Sequence, residues 1–165
     1  LDAYVSDKFI NLFKECKIFR ESELHARHEI KLENYIIKNQ IEARVSQEIA
    51  MNQILPAALD YQNKLLSNIS VTKQSGIEDE SINVKINIYK KVSSGIKGIV
   101  DSVNDIQDKI NKADSLNETR ETAIAYYDDV KASVEQLRDN VDLLENWVED
   151  ENWPLPKYRE LLFVR

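Results

Sequence analysis

The sequence predicts an all-α protein, on three observations. Its 165 residues include only three glycines and three prolines, the residue types that mark turns and sheet corners, where an average chain carries roughly 12% of them. Apolar residues recur at steps of three, four and seven along three long stretches, which is the period of an amphipathic helix. Hydrophobic residues make up 42% and charged residues 31%, a balance typical of helix bundles. We expect an antiparallel bundle of three long helices, with a short N-terminal helix before it.

The first two elements of the expected bundle follow from the pattern of residues 1–69. Aromatic and aliphatic residues separated by charge predict a short helix within residues 1–19. A longer helix is predicted from Glu21 to about Asn68. Its buried row is expected to be Leu32, Ile36, Ala43, Ala50, Ile54, Ala58, Tyr61 and Leu65. A flanking row that includes Ile37, Ile41, Leu59 and Leu66 predicts contact with more than one neighbour.

Pro56 lies inside the pattern of this central helix. A proline in a helix removes a backbone donor and crowds the carbonyl four residues before it, at a cost of about 3 kcal/mol. The apolar row continues in phase after the proline, which favours a bend over an end. We therefore expect the central helix to be kinked between Met51 and Leu55.

The third helix of the chain, the second of the long ones, is predicted from about residue 79 to residue 113, after a loop from Ser70 to Asp79. Its seam is expected to be Ile82, Ile86, Tyr89, Ser93, Ile96, Val100, Val103, Gln107 and Ile110. A second apolar row, Val84, Ile88, Val92, Ile99 and Ile106, flanks that seam. Gly95 and Gly98 lie in the middle, where each costs about 1 kcal/mol relative to alanine. They indicate either a close approach of two helices or a weak point.

The last long helix is predicted from residue 118 to residue 150, with Asn117 or Thr119 as its cap and Glu118 and Glu121 at its positive end. Its buried row is expected to be Ala123, Tyr126, Val130, Val134, Leu137, Val141, Leu144 and Val148. The Trp153-Pro154-Leu155-Pro156 tail cannot be helical, and Tyr158 to Phe163 then resume an apolar turn. We expect Trp153 to dock against the bundle, because a free tail would expose a large apolar surface.

Charge and cysteine content limit the class of function. The net charge is −7, the isoelectric point is near 5.0, and no block of consecutive lysines or arginines occurs. This disfavours binding to nucleic acid or to an anionic membrane surface. No stretch approaches the roughly 18 apolar residues of a membrane span. A single cysteine, Cys16, excludes an internal disulfide and favours a reducing, cytoplasmic location.

One cluster invites a metal hypothesis: Glu21, His25, His28, Glu29 and Glu33. A zincin needs the order His-Glu-x-x-His, whereas this chain has two histidines three residues apart followed by glutamate. The general base would be misplaced and no third ligand is evident. We favour ion pairing on a helix surface and predict no metal site.

The other candidates are weaker. Cys16 lacks an evident partner base, so we expect a buried or neutral thiol. Gly95-Ile96-Lys97-Gly98 lacks the spacing of a phosphate-binding loop. The aspartates are expected to form solvated faces rather than metal sites; they are Asp101, Asp105, Asp108, Asp128 and Asp129. Tyr126 and Tyr127 are both assigned to core packing. We therefore predict no catalytic, cofactor-binding or metal-binding residue in this chain.

Several ordered motifs lie near both ends of the chain. They are Arg27-His28-Glu29-Ile30 with Leu32-Glu33-Asn34-Tyr35, Ile41-Glu42-Ala43, Ile54-Leu55-Pro56-Ala57, and Trp153-Pro154-Leu155-Pro156 with Tyr158 and Leu161-Leu162-Phe163. Together they resemble the carboxy-terminal region of type III glutamine synthetase. The chain begins with Leu1, and we expect residues 1–165 to be a single helical domain from the end of a larger enzyme.

The resemblance implies a parent enzyme that joins ammonia to glutamate through γ-glutamyl phosphate, with ATP and Mg or Mn, in stacked-ring oligomers. The catalytic residues of that family lie in an upstream domain, so none is transferred to this chain. The implied partners are the catalytic domain of the same polypeptide and neighbouring subunits of the ring. Two function classes remain: an accessory domain of this enzyme, or an independent adaptor that binds partner helices.

Overall fold

A computed structural model describes residues 1–76 and 81–162. A 3₁₀ turn, Asp2–Val5, precedes the first α-helix. The α-helices are α1 (Asp7–Glu15), α2 (Glu21–Ile49), α3 (Leu55–Gln74), α4 (Ser81–Asp114), α5 (Thr119–Ala125), α6 (Lys131–Glu145) and α7 (Tyr158–Leu162). Two π turns, Ala50–Ile54 and Tyr126–Val130, join α2 to α3 and α5 to α6. The described residues contain no β-strand, and the all-helical prediction is confirmed.

Two compact units divide the chain. The first unit comprises Leu1–Arg44 and Ile106–Ala132, and the second comprises Val45–Asp105 and Ser133–Arg165. The prediction of a single domain over residues 1–165, and that of one three-helix bundle along the whole chain, stay predictions.

The first unit buries apolar side chains from α2, the end of α4, α5 and the second π turn. Its buried apolar residues are Leu24, Leu32, Ala43, Ile106, Ile110, Ala113, Ala123, Tyr126 and Val130. Before them, four aromatic rings form a ladder with centroids 5.6 to 5.9 Å apart: Tyr4, Phe9, Phe13 and Phe19. The single short helix predicted for residues 1–19 is thus a 3₁₀ turn followed by α1. Lys17, between α1 and α2, then adopts a positive φ of 54°.

Side-chain hydrogen bonds show antiparallel helix pairs within the second unit. Gln62 Nε2 donates to Ser93 Oγ at 2.6 Å, and Gln47 Nε2 donates to the Val103 carbonyl at 3.0 Å. Because the partner number on α4 falls as the number on α2 and α3 rises, these segments run in opposite directions. The same holds for α4 and α6, since Ser133 Oγ donates to Asp105 and Asn140 Nδ2 donates to Ser102 Oγ.

The predicted kink between Met51 and Leu55 takes the form of a π turn. The Leu55 N–H donates to the Ala50 carbonyl, five residues back. The regular helix then starts again at Leu55, so Pro56 lies in the first turn of α3. That is where a helix tolerates a residue without an N–H. Ala50 and Ile54 are 1% and 2% exposed, so the buried row continues through the turn.

The seam predicted for α4 was wrong except at its last member, Ile110, which is 2% exposed. In the second unit Val92 and Ile99, from the flanking row, are fully buried, whereas predicted seam residues such as Ser93 and Ile96 are only half-buried. The cause is that α4 has neighbours on two sides. One side carries Ser93 towards α3 and the other carries Ser102 towards α6, so the row between them is the most enclosed. In the first unit Gln107 of the predicted seam is exposed.

Gly95 and Gly98 mark a close approach of α4 and α6. A Cβ atom at Gly95 would lie 2.9 Å from Leu144 Cδ1, and one at Gly98 would lie 3.0 Å from Asn140 Oδ1. Leu144 is 1% exposed, so its side chain has little freedom to move away. The helix pair has no room for side chains at these two positions, and glycine supplies none. Of the two predicted roles, the structure therefore favours a close approach of two helices.

Three predicted helix boundaries need correction. The loop predicted from Ser70 starts only after Gln74; Thr72 Oγ1 donates to the Asn68 carbonyl, which accommodates this residue inside the helix. Gly76 follows with a φ of 69°, the conformation of a helix-ending glycine. Residues 77–80, which contain the rest of that loop and the predicted start of the third helix, lie outside the described residues.

The predicted fourth helix starts and ends differently. Glu118 is the N-cap residue of α5 and makes no side-chain capping bond, so neither Asn117 nor Thr119 caps the helix. Its last regular segment, α6, ends at Glu145 rather than at residue 150. Asn146 Nδ2 donates to the Asp142 carbonyl at 2.7 Å, so a side chain satisfies one of the terminal acceptors. Phe163, in the predicted apolar turn of the tail, lies outside the described residues.

Trp153 is 8% exposed, and truncating it tests how strongly this position stabilises the second unit. We expect Trp153→Ala to lower the free energy of unfolding by about 3 to 5 kcal/mol, because the change removes a large buried ring and leaves a cavity. Urea unfolding of the variant measures this. The matched control is Trp147→Ala, since that half-buried ring lies under Lys91 Nζ at 4.1 Å and its loss costs less. Equal, small effects of both changes would contradict the expectation.

Candidate interaction site

A buried tyrosine at the start of the second π turn ties three elements of the first unit together. Tyr126 has no exposed surface, and its hydroxyl donates to Asp114 Oδ1 at 2.7 Å. Asp114 is the last residue of α4, where the helix dipole disfavours a carboxylate. Gln40 Nε2, from α2, donates to its other oxygen at 3.3 Å. The hydrogen bonds from Tyr126 and Gln40 stabilise the Asp114 carboxylate at this unfavourable helix end.

The surroundings of Tyr126 change its acidity. Burial raises the pKa of the Tyr126 phenol far above its ordinary value, and the hydrogen bond to Asp114 raises the pKa further. Gln40 and Arg44 act in the opposite direction, with smaller effect. Tyr126 therefore stays neutral, and its hydroxyl keeps the proton that it donates to Asp114 in this structural hydrogen bond.

A second polar cluster fixes the beginning of the chain to the same unit. Arg120 Nε and Nη2 donate to Asp2 Oδ2 at 3.0 and 2.6 Å. These hydrogen bonds hold the pKa of the Asp2 carboxyl below its ordinary value. The Asp2 carboxylate also lies 3.4 Å from His28 Nε2. Arg120 is at the start of α5 and His28 is on α2, so Asp2 bridges two helices.

The hypothesis of ion pairing on an exposed helix surface is wrong for His28. It is 8% exposed, and its Nε2 atom makes no hydrogen bond within the described residues. His25, three residues earlier, is exposed, so the two histidines have different environments. No group of three or more His, Cys, Asp or Glu side chains that could hold a metal occurs in the part of the chain that the structure describes.

An apolar groove lies beside this cluster, with a volume of about 370 Å³. We call it the N-terminal groove. Its apolar and aromatic walls are Leu1, Leu32, Tyr35, Ala123, Ile124 and Tyr127, and its polar members are Asp2, Arg120 and Asp128. Leu1, Ile124 and Tyr127 are 53%, 42% and 58% exposed. The groove therefore presents large apolar side chains to solvent, as interaction surfaces do.

Cys16 is exposed at the end of α1, so of the two expected states, buried or neutral, the buried one is wrong. Two other predictions about single residues were wrong. Tyr127 belongs to the groove wall rather than to the core. Asp105 is half-buried and accepts a hydrogen bond from Ser133 at 2.6 Å, so it is not part of a solvated face. Among residues 1–76 and 81–162, none of the helices has the length and apolar character that a membrane span requires.

Comparison with known proteins agrees with the resemblance. Residues 1–73 match the family described as the glutamine synthetase C-terminal domain. A glutamine synthetase of Bacteroides fragilis (strain YCH46) is 40% identical over 152 residues, which cover 90% of this chain and 21% of the relative. The predicted resemblance to the carboxy-terminal region of glutamine synthetase is thereby confirmed.

Two further relatives of this chain are similar to it over nearly its whole length. A glutamine synthetase of Butyrivibrio fibrisolvens is 28% identical over 160 residues, and a type-3 glutamine synthetase of Dictyostelium discoideum is 27% identical over 163 residues. Each alignment covers 97% of this chain. The chain spans about a fifth of the length of the curated relatives it matches.

Sequence reasoning missed the two polar clusters and the N-terminal groove of the first unit. From the sequence, Asp114 was identified only as part of a predicted break between helices. Arg120 was predicted only to lie in a helix. Tyr126 was assigned to the core correctly, but its hydroxyl needed a partner. That requirement was the available signal, because a buried phenol at a core position predicts an acceptor on a neighbouring element.

Removing the Tyr126 hydroxyl tests the tie to Asp114. We expect Tyr126→Phe to cost about 1.5 to 3 kcal/mol at neutral pH, the range for a hydrogen bond to a charged group. Because the pKa of Tyr126 is raised in the folded state, its contribution is complete below the ordinary tyrosine pKa of about 10 and falls as pH rises above it. Urea unfolding at neutral and alkaline pH should therefore show the two proteins converging.

Tyr127→Phe is the matched control for this measurement, because that neighbouring ring is 58% exposed. Its unfolding free energy should follow the wild-type curve at both pH values. A loss as large as that of Tyr126→Phe would count against a specific bond to Asp114.

Proposed function

We propose that this chain is an accessory C-terminal domain of a glutamine synthetase, which supports assembly of the enzyme or shapes access to its active site. The observation that carries the proposal is the match to the C-terminal domain family together with relatives more than four times as long as this chain. In those relatives four fifths of the protein lies outside the matched part. The reaction is assigned to that larger part.

Exposed apolar side chains on the long helices support a role in contact with other protein surfaces. In the first unit, Ile30, Ile37 and Ile41 of α2 are each at least half exposed. In the second unit, Leu59, Leu66 and Val71 of α3 are 41%, 48% and 66% exposed. Such rows are typical of surfaces that are covered in an assembly. We assign them to the catalytic domain of the same polypeptide and to neighbouring subunits of a ring oligomer.

The parent enzyme is proposed to join ammonia to glutamate at the expense of ATP, with Mg or Mn bound by residues outside this chain. We place it in the cytoplasm. The domain is proposed to act as an antiparallel bundle of three long helices with its Trp-Pro tail docked. Burial of Trp153 supports the docked tail.

A charge in the core tests the accessory role in the full-length parent enzyme. Ile54 is 2% exposed in the first π turn, so Ile54→Asp buries an unpaired carboxylate and should destabilise the domain by more than about 4 kcal/mol. We expect lower synthetase activity and a smaller native mass. The matched control is Asn52→Asp, which adds the same charge at an exposed position of the same turn. A fully active, intact oligomer with a melted domain would refute the proposal.

Nucleotide binding separates the accessory domain from a catalytic one. We expect calorimetric titration of residues 1–165 with ATP and magnesium to give no heat of binding, and assays of the isolated chain to give no glutamine synthesis. The physical reason is that phosphate binding needs a cradle of backbone N–H groups or cations, and the sequence offers no motif for one. Tight binding of ATP by the isolated chain would overturn the assignment of the reaction to the rest of the parent.

A further inference from the structure

The first residues of the chain are held on the wall of the N-terminal groove. The Leu1 carbonyl accepts from the Tyr4 N–H at 3.0 Å, and the Asp2 carboxylate accepts two hydrogen bonds from Arg120. Leu1 is thus fixed in place by its neighbours although its side chain is 53% exposed. Any residues that precede Leu1 in a longer protein must start at the mouth of this groove.

The groove suits an apolar segment more than a charged ligand. Arg120, its cation, is already engaged by Asp2, and the remaining walls are mainly aliphatic or aromatic. A separate protein partner needs roughly 1,000 Å² of total buried surface for a specific complex. A segment attached at Leu1 does not, because attachment gives it an effective concentration of about millimolar near the groove. A small apolar surface is enough to retain it.

The comparisons supply the length of chain that this segment needs. The matched family is a C-terminal domain, and the chain covers only 21% to 23% of its relatives, so most of a relative lies upstream of the matched part. We infer that the N-terminal groove is the docking site of the polypeptide segment directly preceding Leu1 in the parent enzyme. The segment lays apolar side chains against Ile124 and Tyr127 and joins the catalytic part firmly to this domain. This inference rests on the proposed function.

Limited proteolysis of the full-length parent enzyme tests the inference. The variant Ile124→Lys places a charge on the groove wall, and Tyr127→Lys does so at a second position. Leu143→Lys is the matched control, because Leu143 lies on α6 outside the groove and is 63% exposed. Thermal melting establishes that all three variants remain folded. Digestion with chymotrypsin, followed by mass spectrometry, measures cleavage in the segment just before Leu1.

We expect both groove variants to be cut in this segment about tenfold faster than the wild type, because cleavage follows the undocked population. Leu143→Lys should be cut at the wild-type rate. Equal rates in all four proteins would overturn the inference. So would a groove variant whose native mass falls while the segment stays protected, since that result assigns the groove to a neighbouring subunit.

The two proposals fail separately. If Ile54→Asp leaves activity and assembly intact while Ile124→Lys exposes the segment, the accessory role is wrong and the docking site stands. If Ile54→Asp disrupts the enzyme while Ile124→Lys leaves the segment protected, the accessory role stands and the docking site is wrong.

Discussion

The close approach of α4 and α6 is the constraint on which the packing of the second unit depends. A side chain at Gly95 would reach within 2.9 Å of Leu144, so the two backbones come together only because α4 carries hydrogen atoms at this face. Leu144 then fills the space and is 1% exposed. The same approach lets Asn140 Nδ2 reach Ser102 Oγ at 2.9 Å. The glycines lower helix propensity, and tight packing of this helix pair offsets that cost.

The helical fold and most buried rows could be predicted from the sequence because they depend on local periodicity. Tyr126, Leu137 and Leu144 were placed in the core, and they are buried. The row on α4 could not be predicted, because two apolar rows of equal regularity compete, and only the positions of both neighbouring helices decide between them. The same limit applies to His28, whose burial depends on the chain segment at Asp2 that folds over it.

The candidate site could be predicted less well than the fold. Its polar residues come from segments far apart in sequence, as with Asp2 and Arg120, and no spacing rule connects them. Tyr127 illustrates the problem: it lies next to the buried Tyr126 and on the flank of the same row, yet it is 58% exposed. The π turn that contains both residues changes the number of residues per turn. A regular helical projection therefore places Tyr126 and Val130 correctly in the core but assigns Tyr127 to the wrong face.

The two π turns also differ in how they would respond to a change in chain length. Deleting one residue from Ala50–Ile54 would restore an α-helical turn and place Pro56 inside it, at a cost of about 3 kcal/mol. The proline therefore locks the length of the first π turn. The helix that follows Tyr126–Val130, α6, contains no proline, and the three middle residues of this second π turn are exposed. We accordingly expect the loss of one residue to destabilise the protein less at the second π turn than at the first.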